Sequence, residues 1–241
     1  MIIIIDLDAL RRRLHNLLWL VVSALTLSLA LVRPFLTVWV TSLQDQPIRR
    51  GNPDRPYVAL MFNVDWGNEY VPQLLEILRQ SHAKATFFVT GRWAGENPDL
   101  LRLIAKNEQE IATHGQEHLL PSKLPDQEVD WLIREGIATL RDILGREPAL
   151  LFSPPSGDWD ERTIRAASRY GCKTILWTVD TVDWRCPSPD KIVARATESV
   201  KPGSLILMHP TAPTVLALPK IIELLRRAGL EPTTVSQAIG A

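Results

Sequence analysis

The sequence predicts an α/β fold in which parallel strands form a sheet that helices cover from outside, as in a βα barrel. From Tyr57 onward, short apolar runs rich in β-branched and aromatic residues alternate with longer segments of helical periodicity. Six such strand–helix pairs follow one another, and this alternation is typical of parallel sheets. No strand is followed by a glycine-rich phosphate-binding pattern, which disfavours a nucleotide-binding protein.

The boundaries of these elements follow from apolar periodicity and from the residues that begin and end helices. Pro98 suits a first helical turn, where its missing N–H is not needed, and Gly145 suits a helix end. The predicted strands are 57–62, 85–90, 110–113, 149–152, 173–177 and 204–208. The predicted helices are 70–80, 97–107, 126–144, 160–170, 189–200 and 214–228.

Length and charge limit the class of protein. The 241 residues suffice for one domain of barrel size with an appendage. The 27 basic and 27 acidic side chains give a formal net charge of zero. Because nucleic-acid binding depends on a basic electrostatic field, we expect no nucleic-acid partner. We expect the chain to be a monomer.

The N-terminal part has the features of a membrane anchor. Three arginines at 11–13 precede an apolar run over 17–32. This order predicts a signal anchor over 1–40, a single-pass transmembrane helix that leaves the arginines in the cytoplasm and the domain on the extracellular face of the cell membrane. Small residues at Ser28 and Ala30 leave cleavage and secretion as the alternative. The polar stretch 41–56 predicts a linker, and 57–241 the folded domain.

Side chains that bind metals or move protons follow the predicted strands one after another. Parallel barrels build their sites from loops at the carboxyl ends of strands, so we expect these loops to meet at one rim. His114 and His118 stand four residues apart, a spacing that lets two imidazoles bind one metal ion when a carboxylate joins them. The residues predicted at this rim are Asn63, Asp65, His114, His118, Ser153, Pro154, Asp180, Asp183 and His209.

Five of these segments match, in order, the sequence blocks of a known family. The region from about Tyr57 to Ile239 resembles the polysaccharide deacetylases, carbohydrate esterase family four. The segments are 61–67 at the T-F-D-D-G block, 113–118 at H-[ST]-x-x-H, 152–157 at R-P-P-Y-G, 176–184 at W-x-x-D-x-x-D-W and 205–209 at L-x-H. The resemblance implies a distorted (β/α) barrel that removes acetyl groups from N-acetylglucosamine units of peptidoglycan or chitin-like polymers.

The resemblance also implies a cofactor, a divalent metal expected to be zinc. An aspartate and two histidines hold the metal in the family; the histidines correspond here to His114 and His118, and Asp65, the acid nearest to the family's aspartate positions, is expected to be the third ligand. Such a site leaves one coordination position open for a water molecule.

The remaining blocks imply proton transfer and substrate contact. His209, from the L-x-H block, would be the acid that protonates the leaving amine, with Asp183 or Asp180 orienting its imidazole. The residues expected to contact the cell-wall polysaccharide are Asn63, Trp66, Pro154 and Trp184.

Two blocks depart from the family pattern. Asn63 and Val64 stand where the family has two adjacent aspartates, a base and a metal ligand, and Asp65 is the nearest acid. Ser153 stands where the family has an arginine that pairs with the base. An amide cannot take a proton as a carboxylate does, and losing both partners of a buried ion pair costs less than losing one. The paired change therefore indicates altered chemistry.

These departures leave three functions open. The first is a metal-dependent deacetylase of cell-wall polysaccharide in which Glu117 or metal-bound hydroxide takes the place of the base. The second is a catalytically impaired member that binds glycan or a cell-wall partner. The third is a metal hydrolase of another substrate, such as a small amide.

Overall fold

The computed structural model of the protein describes residues 15–22 and 46–240, which belong to two units divided between residues 45 and 46. Residues 15–22 form a short helix whose apolar side chains are exposed. Within these two ranges, no helix has both the length and the apolar character needed to cross a membrane. The rest of the predicted anchor over 1–40, and the predicted linker before residue 46, lie outside the described residues.

The second unit is built on one eight-stranded sheet in which all the strand pairs are parallel. The strands are β1 (Tyr57–Val64), β2 (Thr86–Val89), β3 (Glu110–Thr113), β4 (Leu151–Phe152), β5 (Lys173–Thr174), β6 (Val179–Asp180), β7 (Leu205–Met208) and β8 (Glu231–Thr233). Their order in the sheet is β5-β4-β3-β2-β1-β7-β6, and β8 pairs with the start of β1.

The two end strands of the sheet, β5 and β6, are neighbours in the chain, within residues 173–180. The sheet therefore curves into a distorted barrel. β5 pairs with β4, whereas β6 pairs with β7 at the other end of the sheet. Between them Ile48 forms a parallel bridge with Ile175, and the Ile48 N–H donates to the Thr174 carbonyl over 2.8 Å. The distorted parallel barrel expected from the sequence is thereby confirmed.

Eight α-helices lie in the range 46–240. They are α1 (Val71–Gln80), α2 (Gly91–Glu96), α3 (Pro98–Lys106), α4 (Asp126–Leu144), α5 (Glu161–Arg169), α6 (Pro189–Thr197), α7 (Ala212–Arg227) and α8 (Val235–Ile239). Local sequence sets several of their ends. The Asp160 side chain accepts from the Thr163 N–H in a capping box before α5, and Gly145 ends α4 with a φ of 67°.

The alternation of side chains along β1 separates the outer core from the barrel interior. Leu60 and Phe62 pack outward in the large cluster formed with the helices. Ala59 and Met61 point the other way, into a smaller cluster formed largely by strand residues. Asn63 is the next residue in that inward series, so the polar end of β1 emerges at the carboxyl-terminal rim.

Several elements of the structure differ from the sequence prediction. Only residues 173–174 of the predicted strand 173–177 form a strand, β5, and β6 follows beyond its predicted end, because the hydrogen-bond partner of the chain changes here from one end of the sheet to the other. β8, α2 and α8 were not predicted, since each is at most six residues long and shows no periodicity.

The linker boundary needs correction, because residues 46–56 belong to the compact unit. The Gly51 N–H donates to the Gly203 carbonyl over 2.7 Å, and the Asn52 N–H donates to the Ala238 carbonyl over 2.8 Å. The polar composition of this stretch reflects its position on the surface of the barrel and does not make it a free linker.

Candidate active site

A cavity of about 320 Å³ opens at the carboxyl-terminal rim of the barrel. The loops after several strands contribute to it, because parallel strands all end at the same rim. The sequence-predicted residues that line it are Asn63, Asp65, Trp66, His114, His118, Asp180, Trp184 and His209. Asp183 lies behind His209, fully buried, and Pro154 is not in the lining.

His114 and His118 lie side by side in the loop after β3, with ring centroids 5.2 Å apart. The loop turns at Gly115, whose φ of 88° lies in the left-handed region that glycine adopts without strain. His114 Nδ1 is 2.5 Å from the Ser153 carbonyl oxygen. In the tautomer that donates this hydrogen bond, Nε2 of His114 stays free to accept a proton or bind a ligand.

His114 is held as a neutral imidazole. Its side chain is almost completely buried, and this burial, followed by the neighbouring His118, lowers the pKa of His114 from 6.5 to about 3. The bond to Ser153 opposes the shift without cancelling it. Neutral imidazole is the form that binds metals, so His114 is available as a ligand at physiological pH.

A second histidine at the rim is fixed by a buried carboxylate. His209 Nδ1 lies 2.8 Å from Asp183 Oδ1, and Asp183 Oδ2 accepts from the His209 N–H and from Thr214 Oγ1, both over 2.6 Å. Asp183, and not Asp180, therefore orients the imidazole of His209. Asp180 instead accepts from the Val182 N–H over 2.8 Å and caps the turn after β6.

An uncharged pair occupies the base side of the cavity. Asn63 Nδ2 donates to Ser153 Oγ over 3.4 Å, and both residues are buried. Asn63 Oδ1 is buried and has no hydrogen-bond partner among the residues that the structure describes. An unpaired buried acceptor costs about 1–3 kcal/mol, so the amide oxygen is predisposed to accept a hydrogen bond from a ligand.

The carboxylate of Asp65 is bound by two side chains at the start of α2, those of Thr90, which caps the helix, and of Arg92 in its first turn. Asp65 Oδ1 accepts from Thr90 Oγ1 and from Arg92 Nη2, both over 2.7 Å. Arg92 Nη2 also donates to the Asp65 carbonyl over 3.2 Å. The acidic side chains around Arg92 raise its pKa, against the opposing effect of partial burial, so the guanidinium stays charged.

The three predicted metal ligands do not fit a metal as they are arranged. His114 and His118 could contribute two nitrogen ligands, but the Asp65 carboxylate is engaged by Arg92 and Thr90. In the part of the chain that the structure describes, no three His, Cys, Asp or Glu side chains are grouped so as to hold a metal ion.

Glu117, which the sequence offered as a replacement base, does not line the cavity. Its Oε2 lies 3.3 Å from Arg92 Nε, and its side chain is over one third exposed. A base must reach the proton that it removes, so this position disfavours Glu117 in that role.

Two exposed tryptophans flank the mouth of the cavity. Trp66 is 44% exposed and its ring stacks parallel to His209, with centroids 6.1 Å apart. Trp184 is 47% exposed, and the Arg185 guanidinium lies 4.7 Å from its ring centroid. Exposed aromatic faces of this kind suit the apolar faces of sugar rings. Pro154 is buried, and Ser156, two residues further on, lines the cavity in its place.

Sequence reasoning missed several residues that shape the site. Thr90 and Arg92 directly follow β2 at the same rim, so their position after a predicted strand was a usable signal. Thr214 lies in the first turn of α7 and reaches Asp183 because Thr211 caps that helix. Trp177 lines the cavity from the segment between β5 and β6, which the sequence placed inside a strand.

Comparison with known proteins agrees with this geometry. The polysaccharide deacetylase profile matches residues 50–175. YlxY of Bacillus subtilis is 38% identical over 201 residues, 83% of this chain and 63% of that protein, so the chain spans less than two thirds of this relative. A peptidoglycan-N-acetylglucosamine deacetylase of Bacillus cereus is 33% identical over 188 residues, 76% of this chain and 87% of that protein.

A solved structure with the same fold adds a distinction within the family. BA3943 of Bacillus anthracis, described as a pseudoenzyme of carbohydrate esterase family four, superposes with a TM-score of 0.79 at 35% identity, over 81% of this chain and 69% of that one. A mutant of BA3943 is described as having restored enzymatic activity. With the profile match over residues 50–175, these likenesses show that the chain belongs to the polysaccharide deacetylase family, carbohydrate esterase family four.

Proposed function

We propose that this chain binds N-acetylglucosamine units of cell-wall polysaccharide at the rim cavity and that its deacetylase activity is severely impaired. The observation that carries the proposal is the pairing of Asn63 with Ser153 beside an intact His209–Asp183 pair. The candidate proton donor for amide hydrolysis, His209, is present, and the proton acceptor is missing.

The His209–Asp183 pair is suited to protonating a leaving amine. Hydrolysis of an acetamido group needs a proton delivered to the leaving nitrogen and a proton removed from the attacking water. Asp183 holds Nδ1 of His209, so Nε2 is the ring nitrogen that can deliver a proton. Thr214 supports this arrangement by donating a hydrogen bond to the same carboxylate.

The absence of a carboxylate base at position 63 lowers the expected rate of deacetylation. Asn63 cannot take a proton from water, and a positioned base typically contributes about 10²–10⁴-fold to such a reaction. The relatives support both sides of the proposal. One is named a peptidoglycan-N-acetylglucosamine deacetylase, and another is described as a pseudoenzyme whose mutant regains activity.

The cellular setting remains a prediction from the sequence. We propose that an N-terminal anchor holds the domain on the outer face of the cell membrane, where it meets cell-wall polysaccharide as a monomer. We also propose that the divalent metal ion is zinc and that His114 and His118 are two of its ligands.

A second candidate is an active zinc-dependent deacetylase with ordinary turnover. The intact histidine pair and the His209–Asp183 pair favour it. The absence of a base carboxylate at position 63 argues against it. Glu117 does not replace that base, because it forms an ion pair with Arg92 and does not line the cavity.

Calorimetry and an acetate-release assay on the detergent-solubilised full chain test the proposal. We expect binding of N-acetylglucosamine oligomers, much weaker binding of fully deacetylated glucosamine oligomers, and loss of binding in Trp184→Ala. We expect acetate release, with zinc present, to lie about 10²-fold or more below an ordinary turnover of about 10 s⁻¹. Failure to bind the acetylated oligomers would overturn the binding role, and turnover near the ordinary value would favour the second candidate.

A further inference from the structure

Arg92 connects helix α2 with two loops at the rim of the barrel, the loop after β1 and the loop after β3. It lies in the first turn of α2, and its backbone N–H donates to the Gln116 carbonyl, in the loop that carries the two histidines, over 2.8 Å. Its guanidinium lies between the carboxylates of Asp65, Glu96 and Glu117, with N–O distances of 2.7, 3.3 and 3.3 Å.

The shortest of these contacts is also the least exposed. Asp65 is 15% exposed and Arg92 is 37% exposed, whereas Glu96 is 60% exposed. Arg92 donates to both the carboxylate and the carbonyl of Asp65, and Thr90 supplies a further donor to the same carboxylate oxygen. Charge-assisted bonds with more than one donor fix the direction of a carboxylate more firmly than a single contact does.

This arrangement conflicts with a metal site of the family type. The family holds its metal with an aspartate and two histidines, and Asp65 is the aspartate expected in that role here; Asp180 also lines the cavity but caps the turn after β6. The described residues nevertheless contain no three-ligand group, while a fixed cation already balances the charge of Asp65. A second cation beside Arg92 would meet its repulsion in addition to the loss of the ion pair.

We propose that Arg92 and a divalent metal ion compete for the Asp65 carboxylate. In the wild-type chain the guanidinium holds Asp65, and a metal ion has only His114 and His118 to bind. Removing the guanidinium frees a third ligand and removes a neighbouring positive charge. The alternative is that Arg92 orients an Asp65 that already binds metal, as residues around metal sites often do.

Zinc titration distinguishes the two roles without any glycan or turnover, so its outcome is independent of the proposed function. The full chain in detergent, stripped of metal, is titrated against a fluorescent zinc chelator at constant pH. We expect Arg92→Gln to bind zinc about tenfold or more tightly than the wild type, because a third ligand is gained. We expect Asp65→Asn to leave the wild-type affinity nearly unchanged and to abolish the gain when combined with Arg92→Gln.

The controls address folding and charge. Arg102→Gln removes a similar guanidinium from the exposed ion pair with Asp99 on α3 and should leave zinc affinity unchanged. Arg92→Met keeps the aliphatic stem and serves in place of Arg92→Gln if thermal melting shows that the latter unfolds. Weaker or unchanged zinc binding in the folded Arg92 variant, or a large loss in Asp65→Asn alone, would overturn the proposal.

Discussion

The residue at position 153 serves two neighbours at once. Its side-chain oxygen accepts from Asn63, and its carbonyl oxygen binds His114. A carboxylate at position 63 without a positive partner would be expensive in this buried place, and its pKa would rise. With asparagine at position 63 and serine at position 153, both the carboxylate and its arginine partner are absent. The base is lost, but the contact between the backbone carbonyl of residue 153 and His114 does not depend on the side chain and persists.

The buried state of His114 makes stability depend on pH. In the folded chain its pKa is lowered from 6.5 to about 3, so between these values the unfolded chain binds a proton that the folded chain does not. The free energy of unfolding should therefore fall as the pH is lowered from 6.5 towards 3, by up to about 1.4 kcal/mol per pH unit from this residue.

Urea unfolding between pH 7 and pH 4.5, with a chelator present, checks this prediction. His114→Asn removes the titrating ring, and its amide can still donate to the Ser153 carbonyl. We expect the variant to lose stability less steeply than the wild type as the pH falls. Equal slopes for the two proteins would show that His114 is not held neutral.

At the scale of elements, the histidine loop depends on close contact with α4. A Cβ atom built on Gly136 would lie 2.6 Å from Thr113 Oγ1 and 2.7 Å from the carbonyl carbon of Gly115. The Gln116 N–H donates to the Leu132 carbonyl of the same helix over 2.7 Å. The absence of a side chain at position 136 is thus what allows α4 to support the loop that carries His114 and His118.

Replacing this glycine should destabilise the domain although alanine favours helices. Gly136→Ala forces backbone atoms apart, at a cost of about 2–3 kcal/mol that exceeds a gain of about 1 kcal/mol in helix propensity. We expect the melting temperature to fall by about 2–8 °C.

Gly95→Ala in α2 is the matched control, because a Cβ atom there meets nothing within 4 Å. It should stabilise the protein slightly, by up to about 1 kcal/mol. If the two variants melted at the same temperature, close packing at Gly136 would not matter for the loop.

At the scale of the whole described unit, the closure of the barrel relies on a segment that precedes the first strand. Ile48 receives and donates backbone hydrogen bonds with Leu176 and Thr174, each 2.8 Å long. Its side chain packs against the cluster that fills the barrel interior. Residues 173–180 therefore keep their position between the two ends of the sheet partly through this contact.

Comparison of two shortened chains checks the contribution of this segment. A chain of residues 53–241 lacks several backbone hydrogen bonds of about 1 kcal/mol each that a chain of residues 46–241 retains. We expect the shorter chain to melt about 6–12 °C lower. Equal melting temperatures would mean that the segment only covers the surface.

The sequence predicted the parts of the fold that repeat a strong local pattern. β3 and α4 have the bounds that periodicity indicated. β8 could not be found in this way, because Pro232 interrupts its three residues and its pairing with β1 is a long-range contact. The sequence likewise placed Asp65 at the rim but could not show that Arg92 binds it, since that contact depends on how neighbouring loops pack.

The most direct test restores the missing charge pair. Asn63→Asp combined with Ser153→Arg supplies a base and a cation to hold it charged, and Asn63→Ala with Ser153→Arg is the matched control. Acetate release from N-acetylglucosamine oligomers is measured at saturating zinc, on variants whose thermal melting shows that they are folded. We expect the first pair to exceed the wild type by about 10²-fold or more and the control to gain nothing. A folded, glycan-binding variant that released acetate no faster than the wild type would contradict the assignment of position 63 as the missing base.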